Sequence, residues 1–248
     1  MKRFEGKVAI VTGGARGIGQ ETCKRLAAEG AIVYVWDVIE SKQTVDLIND
    51  LGGKGYEAFV DITDSKMVEE NVEKIIKEQG RVDILINNAG VLTNHENLLT
   101  VTDEIWEREI AINLTGPFYC SRAVLPYMMA QNYGKIVSVS SIAGNTGRIS
   151  TGPAYSAAKA GVMGLTRSTA RNVAKYGINV NAVCPGWMLT EISKNYPEEV
   201  KQRLLSEIPY NRPGTPEDIA SAIAFLASDD AAYINGESLC VNGGSFMA

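Results

Sequence analysis

Short β-branched runs alternate with longer segments of helical spacing along the whole chain of 248 residues. The runs have the length and side-chain type of strands that are covered on both faces. Such an alternation predicts one α/β domain over residues 1–248, a doubly wound parallel sheet with helices on both faces. The predicted strands cover residues 7–12, 31–36, 55–60, 82–87, 135–140, 178–184 and 237–241.

Polar residues and glycines mark the predicted helix ends. Ser41 is a candidate cap for the second helix, Thr63 or Asp64 for the third, and the run Thr215-Pro216-Glu217-Asp218 is a strong helix start. The longest predicted helix spans residues 102–132, with bends expected near Gly116-Pro117 and Pro126. The other predicted helices cover residues 20–29, 41–51, 64–79, 153–177 and part of 190–207.

Charge and composition exclude several functional classes. The net charge of -5 argues against nucleic acid or an anionic membrane as the main partner, because both select basic surfaces. No apolar run approaches the length of a membrane span. The four cysteines are far apart and have no metal-ligand spacing, which favours reduced core residues in a cytoplasmic protein.

A glycine-rich turn, Thr12-Gly13-Gly14-Ala15-Arg16-Gly17-Ile18-Gly19, separates the first strand from the first helix. Glycines let the backbone turn tightly and approach a pyrophosphate, whose charge is stabilised by the helix N-terminus. Methyltransferases and flavoproteins use similar loops, so the spacing alone is weak evidence. Its position between a strand and a helix favours a nucleotide site.

Asp37 ends the second strand, where a carboxylate can accept hydrogen bonds from both hydroxyls of an adenosine ribose. It would repel a 2′-phosphate, which favours NAD over NADP. Arg16 argues in the opposite direction, because its side chain could reach a 2′-phosphate. We give Asp37 more weight, since Arg16 can swing into solvent whereas the carboxylate would have to be neutralised.

Polar residues also follow the later strands. Asp61 follows the third strand and is a candidate either for the adenine edge or for a helix cap. Asn87-Asn88-Ala89-Gly90 follows the fourth strand and Ser140-Ser141 ends the fifth. Asn113 lies inside the longest helix, an unfavourable place for asparagine unless its amide is used.

Tyr155 and Lys159 are one helical turn apart and share a face of the helix that begins at Pro153. A cation beside a phenol favours the phenolate and lowers its pKa, so the pair is a candidate general acid/base. A single Tyr-x-x-x-Lys match is expected by chance in about half of such chains. His95, the only histidine, lies in a polar loop without a second metal ligand nearby, which favours a surface or rim residue and no metal site.

Together these motifs resemble the classical short-chain dehydrogenase/reductase family over essentially the full length. The matches occur in order: Thr12-Gly13-x-x-x-Gly17-x-Gly19, Asn87-Asn88-Ala89-Gly90, Asn113, Ser141, Tyr155-x-x-x-Lys159 and Pro185-Gly186-x-x-x-Thr190. The resemblance implies a Rossmann-type sheet in the order 3-2-1-4-5-6-7 and hydride transfer between a nicotinamide and a carbonyl or alcohol carbon.

The resemblance also implies a role for each matching residue. Tyr155 is the acid/base, Lys159 lowers its pKa and binds the nicotinamide ribose, Ser141 orients the substrate oxygen, and Asn113 holds a water in a proton relay. A lid is implied at residues 187–207. Its side chains Trp187, Met188, Ile192 and Tyr196 suggest either a mainly apolar pocket or ordinary helix packing. The implied coenzyme contacts are Gly13, Arg16, Gly17, Ile18, Gly19, Asp37, Asp61, Ile62, Asn88, Ala89, Gly90, Tyr155, Lys159, Pro185, Gly186, Met188 and Thr190.

Within the family, the overall character of the sequence is most similar to that of the 3-oxoacyl-acyl-carrier-protein reductases. Those enzymes usually take NADPH, whereas Asp37 indicates NAD, and they dock their carrier protein through two arginines that align with Asn132 and Tyr176 here. The first hypothesis is therefore an NAD-dependent dehydrogenase of a small secondary alcohol or ketone. The carrier-protein reductase is the alternative, and a non-catalytic nucleotide sensor is the alternative of another class. The family's homotetramer is the expected assembly.

Overall fold

A computed structural model describes residues 2–93, 97–147, 151–188 and 198–247. Seven parallel strands form one sheet in the order β3-β2-β1-β4-β5-β6-β7. The predicted topology is therefore confirmed. The strands are β1 (Val8–Thr12), β2 (Ile32–Asp37), β3 (Lys54–Phe59), β4 (Ile84–Asn87), β5 (Gly134–Val139), β6 (Ile178–Pro185) and β7 (Ser238–Val241).

Helices connect the strands and cover both faces of the sheet. They are α1 (Gly17–Ala28), α2 (Lys42–Asp50), α3 (Ser65–Gln79), α4 (Asp103–Ile110), α5 (Gly116–Ala130), α6 (Ala143–Thr146), α7 (Pro153–Val173), α8 (Glu198–Ser206) and α9 (Pro216–Leu226). Short 3-10 turns cover Leu98–Thr100, Ala174–Tyr176 and Asp229–Ala231.

The sheet separates two apolar clusters. One lies under α1 and α9, which pack against each other, and the other lies under α3, α5 and α7. Strands β1, β4, β5 and β6 are buried along their whole length, whereas the edge strand β3 is largely exposed. The carboxyl ends of β1, β4, β5 and β6 therefore meet at the edge of a rigid, fully covered platform.

Two of the predicted helix starts are confirmed and one is wrong. The Asp64 carboxylate accepts hydrogen bonds from two backbone amides of α3, and Thr215 forms a capping box with Asp218. Ser41 precedes α2 without capping it, because its hydroxyl is directed to Glu57, 3.4 Å away on the neighbouring strand.

The predicted helix over residues 102–132 is interrupted by a π-helical segment, Ala111–Thr115, between α4 and α5. Pro117 explains this widening, because it lacks an N–H and its ring excludes the carbonyl of Asn113, four residues earlier. The segment between α4 and α5 thus departs from ideal α-helical geometry around Asn113, a candidate site residue.

The candidate lid is described only in part. Trp187 and Met188 follow β6, and α8 covers the end of the predicted range. Thr190, Ile192, Tyr196 and also His95 lie outside the described residues. Among the helices that the structure describes, none is long and apolar enough to cross a membrane.

Candidate active site

Side chains at the ends of β1 and β4 tie the glycine-rich turn to the sheet. The Thr12 hydroxyl accepts hydrogen bonds from the backbone amides of Asn88 and Ala89, both at 3.0 Å. The Asn88 side-chain amide donates to the carbonyls of Thr12 and Gly13, both at 2.9 Å. The turn is therefore held in one conformation by polar contacts that leave its outer side open.

The glycines of this turn allow close contacts that a side chain would block. A Cβ at Gly13 would lie 2.7 Å from the Ala89 Cα, and one at Gly19 would overlap the Gly13 carbonyl oxygen. Gly17 has a left-handed φ of 57° and nothing within 4 Å of its Cβ position, so space is open above it. No side chain caps α1, so its first amides remain available to an anion.

Asp37 lies against the same turn. One carboxylate oxygen accepts a hydrogen bond from the Ala15 amide at 3.0 Å, and the other accepts from Val38 at 2.8 Å and Ile39 at 3.3 Å. These contacts fix the carboxylate at the end of β2 and leave an acceptor site on the oxygen that binds the Ala15 amide. Arg16 is exposed at the start of α1.

Asp61 and Ile62 follow β3 with separate roles. Asp61 accepts hydrogen bonds from the backbone and hydroxyl of Thr63, so it closes a turn, while the helix is capped by Asp64. Ile62 is 5% exposed and packs on Gly116, where a Cβ would lie 2.5 Å from the isoleucine side chain.

Tyr155 and Ser141 meet where β5 ends beside α7. The Ser141 hydroxyl lies beside the Tyr155 phenol and accepts a hydrogen bond from the Ala143 amide at 3.1 Å. Burial raises the pKa of Tyr155 to about 12, the Ser141 hydroxyl lowers it, and Glu109 raises it. The phenol therefore holds its proton at neutral pH.

Lys159 is 4% exposed and lies beneath the tyrosine. Its Nζ donates to the Val139 carbonyl at 2.8 Å and lies 5.5 Å from the centre of the Tyr155 ring. Burial lowers the Lys159 pKa to about 8. The predicted lowering of the tyrosine pKa by this lysine is not seen, because burial outweighs a cation that is directed to a backbone carbonyl.

The side-chain amide of Asn113 forms hydrogen bonds with the segment that follows β4. Its Nδ2 donates to the Val91 carbonyl at 2.8 Å, and its Oδ1 accepts from the Val91 amide at 3.2 Å. A Cβ at Gly90 would lie 2.8 Å from Asn113 Oδ1 and 3.5 Å from Lys159 Nζ. Gly90 thus leaves a narrow space between the asparagine and the lysine.

The end of β6 borders the remaining side of the candidate active site. The Pro185 carbonyl accepts a bond from Ile142 at 3.1 Å, and Gly186 donates to Val241 at 3.1 Å. Met188 is 8% exposed and forms an isolated bridge with Gly214. The bond with Ile142 places Pro185 beside the Ser141 end of the site, and Gly186 and Met188 follow it along the chain.

Comparison with known proteins agrees with this geometry. A family model described as enoyl-(acyl carrier protein) reductase matches residues 13–245. The chain is 43% identical over 246 residues to the 3-oxoacyl-acyl-carrier-protein reductase FabG of Escherichia coli strain K12, covering 98% of this chain and 99% of that protein. It is 40% identical to FabG of Thermotoga maritima, with 98% of each chain covered.

The chain belongs to the short-chain dehydrogenase/reductase family. It is an oxidoreductase of that family. Two solved structures are similar throughout: gox2181, with a TM-score of 0.93, and a putative short-chain dehydrogenase/reductase from Burkholderia xenovorans, with a TM-score of 0.92. Each is 33% identical to this chain and covers 99% of it, with 98% of its own length matched.

The family implies a nicotinamide coenzyme, and the residues present fit one. The uncapped start of α1 and the open space above Gly17 suit a pyrophosphate. The fixed Asp37 carboxylate suits ribose hydroxyls, and the gap at Gly90 leads toward Lys159 and Tyr155. Both ends of a dinucleotide therefore find matching chemistry along one edge of the sheet.

Some features of the short-chain dehydrogenase/reductase site were not predicted from the sequence. Glu109 is 2% exposed and accepts a bond from the Thr93 amide at 2.6 Å. It lies four residues before Asn113, a helical spacing that could have identified it. The backbone carbonyl of Val139, which holds Lys159, leaves no signal in the sequence. Ser140 donates to the Lys159 carbonyl at 2.8 Å and so anchors α7 to β5.

Proposed function

We propose that this protein reduces the 3-oxo group of an acyl thioester carried by an acyl carrier protein, with NADH as the hydride donor. The full-length similarity to FabG proteins, at 43% identity for the Escherichia coli relative, carries the proposal. It favours this reaction over the dehydrogenase of small alcohols that was our first hypothesis. The meeting of Ser141, Tyr155 and Lys159 supports the chemistry.

The bound coenzyme supplies the hydride. The chain's own residues hold the carbonyl oxygen and move a proton to it. Ser141 and Tyr155 present adjacent hydroxyls, so both can donate to a substrate oxygen, and the tyrosine holds the proton that the product alcohol requires. Lys159 supplies positive charge behind Tyr155, and Asn113 fixes the Val91 backbone beside it.

Asp37 supports NADH over NADPH as the donor. Its carboxylate is fixed by three backbone amides, so it cannot easily turn away from a 2′-phosphate. The repulsion amounts to at most about 4 kcal/mol at an effective dielectric near 20, and less when solvated. Residues that hold the coenzyme would be the Gly13–Gly19 turn, Asp37, Asn88–Gly90, Tyr155 and Lys159, with Asp61, Ile62, Pro185, Gly186 and Met188 at the rim.

One surface favours a second candidate, the dehydrogenase of a small secondary alcohol or ketone. Asn132 and Tyr176 occupy the positions where carrier-protein reductases are expected to have arginines. The two positions are close together in the structure, because Gly177 directly follows Tyr176 and a Cβ at Gly177 would lie 2.9 Å from the Asn132 carbonyl oxygen. A cation is nevertheless present, because the Lys175 Nζ lies 5.1 Å from the Tyr176 ring centre. This lysine is a candidate contact for an acidic carrier.

The test compares acetoacetyl-carrier protein with the acetoacetyl thioester of a small thiol, each with NADH and with NADPH. We expect kcat/KM to be at least about tenfold higher for the carrier protein, and higher with NADH. Lys175→Glu should remove much of the carrier advantage while Lys66→Glu, on the exposed face of α3, should not. Equal rates for both thioesters, with faster turnover of small ketones, would favour the second candidate.

A third outcome would indicate the non-catalytic sensor: tight NADH binding with no turnover of any thioester, ketone or alcohol. The burial of Asn113 and Lys159 argues against it, because these polar side chains are costly to bury without a function.

We also propose the family's homotetramer and a lid at residues 187–207. Trp106 and Phe118, on α4 and α5, are 41% and 40% exposed and offer apolar surface for assembly. Light scattering on the purified protein would test the assembly directly.

A further inference from the structure

A buried hydroxyl on α2 contacts the glycine-rich turn and has no part in the coenzyme site described so far. Thr44 is 0% exposed. Its Oγ1 donates to the Gly14 carbonyl at 2.9 Å and lies 3.2 Å from the Ala15 carbonyl, so the two acceptors share one proton. The Gln20 side-chain amide donates to Thr44 Oγ1 at 2.9 Å and to the Ala15 carbonyl at 3.1 Å. Because Gln20 occupies an acceptor site of the hydroxyl, the hydroxyl proton is directed to the turn.

The peptide unit between Gly14 and Ala15 is held at both ends. Its carbonyl oxygen accepts the bond from Thr44, and its N–H donates to one carboxylate oxygen of Asp37 at 3.0 Å. A trans peptide is planar, so the direction of its C=O also fixes the direction of its N–H. If this peptide turned over, its carbonyl oxygen would face the carboxylate. Thr44 therefore keeps the N–H directed at Asp37.

The Asp37 oxygen that this N–H holds is also the one that keeps an acceptor site. The other oxygen already accepts bonds from Val38 and Ile39, at 2.8 and 3.3 Å. A ribose hydroxyl would therefore bond to the oxygen beside Ala15. Val38 and Ile39 are neighbours of Asp37 along the chain, whereas the Ala15 amide joins the carboxylate to the turn. The position of the accepting oxygen thus depends on a contact that Thr44 orients.

We propose that Thr44 is a positioning residue for coenzyme selectivity: through the Gly14–Ala15 peptide it fixes the Asp37 carboxylate where it accepts a ribose hydroxyl and repels a 2′-phosphate. This inference rests on the proposed coenzyme site and deepens it. Without the hydroxyl, the peptide and the carboxylate are free to turn. NADH then loses a well-placed acceptor and NADPH loses a repulsive charge, so the affinities for the two coenzymes converge.

Thr44→Val removes the hydroxyl and keeps the shape of the side chain. The ratio of Kd for NADPH to Kd for NADH, measured by fluorescence titration without substrate, should fall by about threefold to tenfold, the size of one hydrogen bond. In turnover assays the KM for NADH should rise while kcat stays within about twofold of the parent. Thr44→Ser keeps the hydroxyl and should keep the parent ratio.

Two controls and a second variant make the result specific. Thr22→Val removes an equally buried hydroxyl, which bonds to the Ile18 carbonyl of its own helix at 2.7 Å, and should leave the ratio unchanged. In an Asp37→Ala background, Thr44→Val should also leave the ratio unchanged, because the residue through which the threonine acts is absent. Gln20→Met removes the donor that orients the Thr44 hydroxyl and should lower the ratio by a smaller factor. It provides the test if Thr44→Val does not fold.

An unchanged ratio in Thr44→Val, with a lower free energy of unfolding, would overturn the inference and leave the hydroxyl only a structural role. An equal fall of the ratio in the Asp37→Ala background would overturn it too, because the threonine would then act by another route. A parent that binds NADPH more tightly, or turns over no thioester, would contradict the proposed function instead. The fall of the ratio from parent to Thr44→Val would support the inference in either case.

Discussion

The glycine-rich turn and the start of α7 lie at one edge of the same sheet, yet they work by opposite means. The turn lacks side chains, exposes Arg16 and Gly17, and offers backbone amides to an anion. The proposed catalytic region consists of Asn113, Ser141, Tyr155 and Lys159. Asn113 and Lys159 are buried there, and their polar atoms form hydrogen bonds with backbone carbonyls and amides. The turn offers backbone amides and open space, whereas in the second region burial shifts the pKa values of Tyr155 and Lys159.

This difference has a consequence for mutations. Adding atoms should damage the turn, because its close contacts are between backbone groups. Removing or neutralising polar atoms should damage the catalytic region, because each buried polar group there has a partner that would be left unsatisfied. The predictions below test the contrast, beginning with the largest effect.

Tyr155→Phe removes one oxygen from the catalytic region and should lower kcat by about 10²–10⁴-fold, because the proton donor is lost. NADH should still bind in a fluorescence titration, with at most a modest loss of affinity, since Tyr155 is one of several proposed coenzyme contacts and the turn, Asp37 and Lys159 are untouched. Tyr233→Phe is the matched control, because that ring is fully exposed. Near-normal turnover in Tyr155→Phe would contradict the assignment of the acid/base.

Gly19→Ala adds one carbon to the turn, where it would overlap the Gly13 carbonyl and lie 2.6 Å from the Asn88 amide nitrogen. We expect the free energy of unfolding to fall by about 1–3 kcal/mol, the usual cost of overpacking, with weaker NADH binding. Urea unfolding and the same fluorescence titration measure both. A variant with parental stability and affinity would show that the turn can relax and is less rigid than its contacts indicate.

The pH dependence of the catalytic region should follow Lys159. Its pKa is lowered to about 8, so the ammonium charge is present below that pH and is lost as the pH rises through it. Tyr155, with a pKa of about 12, stays protonated across this window. We expect kcat/KM for NADH, which reports the free enzyme, to fall above about pH 8 by up to about tenfold per unit. The limb should be absent in Lys159→Arg, whose charge persists.

The two regions also differ in how far the sequence predicts them. The turn was predictable because its features are residue types at fixed positions: glycines after a strand, and Asp37 at the end of the next strand. The sheet order was implied by the family resemblance, which rests on motifs such as Asn87-Asn88-Ala89-Gly90 and Tyr155-x-x-x-Lys159. Strand ends differed from their predicted positions by at most two residues.

In the proposed catalytic region the sequence predicts positions and not energetics. The spacing predicted that Tyr155 and Lys159 are neighbours on one helix, but it did not predict the direction of the tyrosine's pKa shift, because burial is a property of the packed molecule. Pro117 was noticed, whereas the π-helical segment around Asn113 depends on how the chain absorbs the proline. Glu109 resembles any surface glutamate in a helical sequence until α4 packs against α7.

The smallest expected effect comes from a glycine in α7, the helix that carries Tyr155 and Lys159. Gly164 lies in α7, is exposed, and has nothing within 4 Å of its Cβ position. Gly164→Ala should therefore raise the free energy of unfolding by about 0.5–1 kcal/mol, because alanine loses less backbone entropy in a helix. Urea unfolding of Gly19→Ala and Gly164→Ala would show that the same added carbon lowers the free energy of unfolding at one position and raises it at the other.

If Gly164→Ala instead lowers stability and shifts the oligomeric state in light scattering, this face of α7 is covered by another subunit. The exposed glycine would then serve close approach between helices, as the expected homotetramer requires.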